Sequence, residues 1–535
     1  MNLIHYLTGN AALSLLCIIT LFKASGAEQT PFKKSDGFFL GPASIFLVLI
    51  KMATFDSGML NIDESIMLSG GRTLALDPRA WISVDPTTSG PLNFLPSIIL
   101  IKLADWSSYG ELRIIYTLVF QIPTVFILFL TFKRVSNSAF ARIVIIPLIL
   151  TIGFFYFPDL IHASSENFPM LFLSIMLSAL ILISFGYEVK RYHLIIAGIA
   201  CASAFYVKLQ VTPIFIYLAA ACFILLFFVK KNRRDGMLFL ASFIFTHLLA
   251  LLIIWLYGGF YDFVQSYIIG NLRYTTVNMI TAELVTTFLK SSIRSLLPLL
   301  LLGFLIPGIF LIVIRKSLTS IDLLYHAGFI LTIIVTIYCI IKPGRYFLHY
   351  TLLLVVPLYS YMVWLLIKYE WKPSKLLVPL ASLAIAFVFF INAKSATRMV
   401  ENEKQYLSDI INQKLVEKLY AGRVPGDRMA VWGWGSYYNH AARLVMGTRD
   451  VHFDFQTSYK SDLGKYYRDR YLSDLEKNHP RWFLDLSLPG GLLTNEDCKL
   501  IHFPEINNFV KENYHEVYKT NTEVLYQKNS DERSK

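Results

Sequence analysis

The chain has 535 residues, of which 55% are hydrophobic and only 16% charged. A soluble protein of that length would divide into about three or four domains, and cores that stop growing near ~250–300 residues cannot hide so much apolar surface. Disorder, fibrous repeats and a five-cysteine disulfide scaffold fail on the same figures, and the net charge of +12 has to be tested against membrane topology before nucleic acid is invoked.

A spanning helix needs about 20 mostly apolar residues. Segments that meet this need lie near 3–22, 38–55, 111–132, 139–157, 168–186, 193–207, 212–229, 237–257, 293–314, 321–341, 350–367 and 376–392. A shorter apolar run covers 91–104. The fold class that follows is an α-helical polytopic membrane protein with about 11–13 transmembrane helices. Ala24-Ser25-Gly26-Ala27 has the look of a signal-peptidase site. No basic segment precedes the first apolar run, however, so we read 3–22 as a retained span.

Lysines and arginines fix the orientation. Lys33-Lys34, Lys133-Arg134, Lys190-Arg191, Lys230 to Arg234, Arg315-Lys316 and Lys368 to Lys375 fall on one side of the alternating spans. That side should be cytoplasmic. The external side then receives 56–110, 158–167, 258–290, 342–349 and everything after about 393. The tail, 395–535, alternates polar helical stretches (465–477, 505–514) with short apolar strands at Met429–Trp432, Trp482–Leu486 and Glu523–Tyr526. It reads as a small external α/β domain. The expected division is therefore 1–394, transmembrane with a long first external loop at about 56–110, and 395–535, the external domain.

The chemistry-bearing residues cluster on that external side. In the first loop Asp63-Glu64 opens a helical run, 64–76. A carboxylate there suits a general base, and adjacent carboxylates raise each other's pKa. The competing reading is helix capping by Asn61 or Asp63. Glu166 stands at the mouth of a span in the second loop and is a plausible second carboxylate of one site. His162 reads more readily as structural. Lys208 lies between two apolar runs near their external junction, where a charge tends to have a partner or a role. Lys342-Pro343-Gly344-Arg345-Tyr346-Phe347-Leu348-His349-Tyr350 places cations where cytoplasmic topology cannot explain them. If helical, it puts Arg345 and His349 on one face, an arrangement that suits a phosphate. Arg273 is a weaker cation in the 258–290 loop. The chain has no P-loop and no dinucleotide fingerprint, so a lipid-linked phosphate fits better than a soluble nucleotide.

These motifs together resemble the GT-C superfamily of integral-membrane glycosyltransferases, in the bacterial branch related to aminoarabinose transferases and protein O-mannosyltransferases. The resemblance covers nearly the whole chain. It rests on Ile62-Asp63-Glu64, on Gly90-Pro91-Leu92-Asn93-Phe94 ahead of Glu111-Leu112-Arg113, on Glu166 and on Gly344 to Tyr350. In the tail it rests on Val431-Trp432-Gly433-Trp434, Tyr471 to Glu476 and Pro480-Arg481-Trp482. What it implies is inverting transfer of a sugar from a polyprenyl-phosphate donor to a lipid, glycan or protein acceptor on the external face of a bacterial inner membrane. By position Asp63 resembles the catalytic base, Glu64 a group that orients it or holds the acceptor, and Glu166 the acidic residue of the second loop. Lys208 and Arg345 resemble donor-phosphate ligands, assisted by His349, Tyr350 and, more weakly, Arg273. The chain departs from the family at Thr88-Ser89-Gly90-Pro91-Leu92, where many relatives carry a His-Pro-Pro-Leu-like element, and 3–22 is extra. The tail has no Trp-Trp-Asp signature of oligosaccharyltransferases. No cofactor is therefore expected, and a divalent metal is left open.

Two other functions fit this topology. A transporter or flippase of lipid-linked saccharides would show related halves and midplane charges, neither of which is visible. A surface-polysaccharide polymerase or ligase would concentrate its chemistry in mid-chain loops, whereas here the first loop dominates.

Overall fold

The computed structural model describes residues 34–52, 54–104, 108–154, 158–277, 280–301, 319–370, 411–451, 454–458, 462–489 and 496–529, with Leu383, Ala386, Phe387 and Phe390. Among them, seven helices are long and apolar enough to cross a membrane: Lys34–Met52, Tyr109–Val135, Asn167–Ser184, Leu209–Val229, Arg233–Leu256, Ser320–Ile341 and Leu348–Lys368. Each coincides with an expected span. The 139–157 segment forms a shorter helix, Ser138–Phe154. The 193–207 segment forms Arg191–Ser203 followed by a 3-10 turn. The apolar run 91–104 is helical throughout. Spans 3–22 and 376–392 lie outside the described residues, apart from the four positions just named, as does 293–314 beyond Leu301.

The chain forms two compact units. The first comprises Met1–Ser57, Gly110–Ala250 and Tyr274–Glu403, and the second Gly58–Tyr109, Leu251–Arg273 and Lys404–Lys535. The first loop and the 251–273 segment thus group with the tail.

The helix Leu348–Lys368 of the first unit is mostly buried, while little of Arg233–Leu256, which runs on past that unit's end at Ala250, is buried. Exposed apolar side chains such as Phe245 and Leu248 mark a lipid-facing surface. Polar side chains tie the buried helices. Trp364 Nε1 donates to Ser184 Oγ at 2.9 Å and Tyr359 Oη to the Val144 carbonyl at 2.7 Å.

Ion pairs sort the helix ends. Asp36 meets both Lys133 and Arg142 at 2.6 Å, Asp322 meets Lys368 at 2.6 Å, and Arg191 meets Asp235 at 3.6 Å. In chain order these residues all belong to the end that carries the expected cytoplasmic clusters. The pairs Glu166–Lys208 and Asp159–His349 belong to the opposite end.

The second unit contains a five-stranded sheet in the order β2-β1-β3-β5-β4, with β1 Arg428–Trp432, β2 Val445–Met446, β3 Trp482–Asp485, β4 Tyr514–Lys519 and β5 Val524–Lys528. β1 runs parallel to β2 and β3, and β5 is antiparallel to β3 and β4. The helices Asp462–Asn478 and Pro504–Asn513 supply Tyr471, Leu475, Ile506 and Val510 to the core around Trp432 and Phe483. Gly433 ends β1 at φ +125°, and a Cβ there would stand 2.8 Å from Leu486 Cβ, so the Trp432-Gly433-Trp434 turn requires glycine.

Candidate functional site

The site residues of the first unit converge from three segments. The second loop opens with the short helix Pro158–Ile161 and ends at Glu166, which precedes the span Asn167–Ser184. Asn167 fixes this entry: its Nδ2 donates to the Ser164 carbonyl and to Ser164 Oγ at 3.1 Å, and its Oδ1 accepts from Gln121 Nε2 at 3.0 Å. Lys208 falls between the 3-10 turns Ala204–Tyr206 and Leu209–Val211, with an extended backbone (φ −161°, ψ 119°) that interrupts the helical path. The third segment is the 3-10 turn Leu348–Thr351, which carries His349 and Tyr350 into the span Leu348–Lys368.

Lys208 Nζ lies 2.5 Å from Glu166 Oε1 and 3.2 Å from Ser165 Oγ, and 4.5 Å from the centre of the Tyr350 ring. Lys208 and Glu166 are both buried. Burial alone would raise the Glu166 pKa. The Lys208 charge, with that of His349, overrides it and holds the carboxyl at about 2. Glu166 is therefore held as the ionised partner of Lys208.

Beside this pair, Asp159 Oδ2 accepts the His349 amide at 3.0 Å and Asp159 Oδ1 meets His349 Nδ1 at 2.9 Å. Burial opposes the ionised form of Asp159, but hydrogen bonding and charge from His349 keep its pKa well below the ordinary carboxylate range. The buried His162 ring stands edge-on to His349 at 5.1 Å. Among the described residues Asp159, His162 and His349 are the one group whose ligand atoms suit a metal ion, all lying within 4.8 Å of one another.

Arg345 is exposed, with its guanidinium 5.7 Å from the centre of the Tyr274 ring. The expectation that Arg345 and His349 share a helix face does not hold. Pro343 and Gly344 (φ +69°) end the preceding helix, residues 345–347 are non-helical, and the next turn begins at Leu348.

Asp63, Glu64 and Arg273 belong to the second unit. Asp63 lies in the first turn of the helix Ile62–Leu76, whose cap is Asn61: its Oδ1 accepts the Asp63 amide at 3.0 Å. The capping role thus falls to Asn61. The Asp63 carboxylate is half-buried and has no hydrogen bond or ion pair among the described residues. Glu64 is fully buried, and its Oε2 accepts the Leu60 amide at 3.0 Å, which makes it a brace of the loop. The helix is seated on the tail: Ser69 Oγ donates to the Ser436 carbonyl at 2.6 Å, and Thr73 Oγ1 accepts the Met446 amide at 3.2 Å. Arg273 is exposed on the helix Asn271–Val277.

Sequence reasoning missed two features. The first is Asp159, whose spacing of three from His162 in the second loop is a usable signal. The second is a buried network in the second unit. Arg470 pairs with Asp85 at 2.6 Å and with Asp450, and it approaches Asp262 at 3.8 Å. Arg449 binds Asp262 at 2.9 Å and Asp474 at 2.6 Å. This network ties the first loop, the 251–273 segment and the tail together, which is why they form one unit. No local pattern announces it.

No protein-family model matches the chain, and no curated protein sequence does. Solved structures share its fold, two of them of ArnT. ArnT from Cupriavidus metallidurans bound to undecaprenyl phosphate superimposes with a TM-score of 0.60 at 10% identity, covering 92% of this chain and 99% of that one. The apo state of the same ArnT gives a TM-score of 0.58 at 9% identity, covering 91% and 97%. The chain thus has the fold of these ArnT structures over nearly its whole length, the fold that the resemblance implied.

Proposed function

We propose that this protein transfers a sugar from a polyprenyl-phosphate-linked donor to an acceptor on the external membrane face. The observation that carries the reading is the buried Lys208–Glu166 pair against Tyr350, set at the helix ends opposite the basic clusters. A fold shared with a protein solved with undecaprenyl phosphate supports it.

A lysine ammonium buried at the end of a bundle of spans is costly unless it serves a binding or structural purpose. Here Glu166 holds Lys208 in place. The exposed Arg345 supplies a guanidinium with the fork geometry that phosphate oxygens match. In the proposed reaction Asp63 accepts the proton of the acceptor hydroxyl or amine. The acceptor atom bonds to the anomeric carbon from the face opposite the lipid phosphate, and the bond from that carbon to the phosphate oxygen breaks. Lys208 and Arg345 stabilise the charge that collects on the departing polyprenyl phosphate. Configuration inverts, and no cofactor is consumed.

The test is binding of undecaprenyl phosphate to the purified full-length protein, followed by native mass spectrometry. A stoichiometric complex that weakens in Arg345→Ala supports the reading. Equal occupancy in both proteins, or none in either, removes it.

A further inference from the structure

The geometry points to a divalent transition-metal site, of the zinc type, formed by Asp159, His162 and His349. Two imidazoles and one carboxylate are the donor set that zinc and related borderline ions take, with three protein ligands leaving a fourth position open to water or a phosphate oxygen. The cysteines of the first unit that the structure describes, Cys201, Cys222 and Cys339, lie elsewhere in apolar surroundings, so the site is a nitrogen–oxygen one.

Three features prepare the ligands. The donors come from two segments that meet across 190 positions of sequence, and their ligand atoms already lie within 4.8 Å of one another. The His349 amide holds Asp159 Oδ2 at 3.0 Å, which leaves Oδ1 turned toward the His349 ring. An outer hydrogen bond of this kind orients a ligating carboxylate. The His349 ring is itself fixed by stacking on Phe347 at 5.6 Å and by edge contact with Tyr350 at 4.9 Å.

A bound dication would add positive charge beside the Lys208–Glu166 pair, joined to it through Tyr350, whose ring lies 4.9 Å from the His349 ring and 4.5 Å from Lys208 Nζ. The inference rests on the ligand geometry and stands independently of the sugar-transfer reading.

The test uses the full-length protein in detergent, freed of any affinity tag and stripped of metal, then titrated with zinc and separately with cobalt. Mass-spectrometric metal analysis after gel filtration should find one zinc per chain, and the cobalt form should show visible absorption of a site with nitrogen and oxygen ligands. Asp159→Asn and His162→Ala should each lower zinc affinity by about tenfold or more, while the exposed His515→Ala should not. Zinc affinities in both site variants equal to the parent's would overturn the assignment, and so would a parent protein that retains no stoichiometric metal.

Discussion

Glu166 Oε1 and Lys208 Nζ lie 2.5 Å apart, with both side chains almost wholly withdrawn from solvent. Removing one member strands a buried charge, which costs about 3–5 kcal/mol. Glu166→Gln and Lys208→Met should each lower the thermal midpoint, and the double variant should recover much of the loss. Polyprenyl-phosphate binding should stay impaired in the double variant, because the cation is gone. A thermal-shift series paired with ligand titration checks both. Since the folded pKa of Glu166 is lowered from 4.5 to about 2, its contribution to stability is full above pH 4.5 and fades as pH falls toward 2.

Asp63→Asn should reduce transfer by about 10²–10⁴-fold, the usual worth of a general base, with no change in thermal midpoint. Its carboxylate makes no described contact whose loss would matter to the fold. Glu64→Ala should behave in the opposite way: it leaves the half-buried Leu60 amide without its acceptor, at about 1–3 kcal/mol. Parallel activity and melting assays on the two neighbours separate the roles.

Arg345→Ala should weaken donor binding about tenfold to a hundredfold, the range for a hydrogen bond to a charged group. Arg345 is exposed, so stability should hold. An Arg345→Lys variant should recover part of the affinity, because it keeps the charge and loses the fork.

Within the second unit, Arg470→Leu should destabilise strongly, because Asp85 and Asp450 are left buried without their cation. Asp450 behaves differently from most carboxylates. Burial first, then the Asp85 and Asp474 charges, push its pKa up to about 7, against the pull of Arg470. The folded state then holds a proton that the unfolded state releases between pH 3.8 and about 7, and this group's contribution to stability falls as pH rises through that window. Melting profiles from pH 4 to 8 should therefore decline less steeply for Asp450→Asn than for the parent.

The spans were legible because bilayer thickness imposes length and apolarity directly on sequence, and so were β1, β3 and β5, which form continuous apolar runs. β4 was not, because Tyr514-His515-Glu516-Val517-Tyr518-Lys519 lies at the sheet edge with its polar side chains exposed. Among the site residues, Lys208 and Glu166 stood out as charges at span ends, yet nothing local shows that they pair across 42 positions. The Asp159–His349 contact and the Arg470 network are long-range in the same way. The helical spacing of Arg345 and His349 misled because Pro343-Gly344 overrides it.

The most direct measurement compares the lipid-linked sugars and envelope glycans of cells that carry the parent protein, the Asp63→Asn variant or neither, by mass spectrometry. The account predicts that one polyprenyl-phosphate sugar accumulates in the last two strains while one envelope glycan loses the same sugar mass. Unchanged pools in cells without the protein would contradict it, as would full restoration of the glycan by Asp63→Asn.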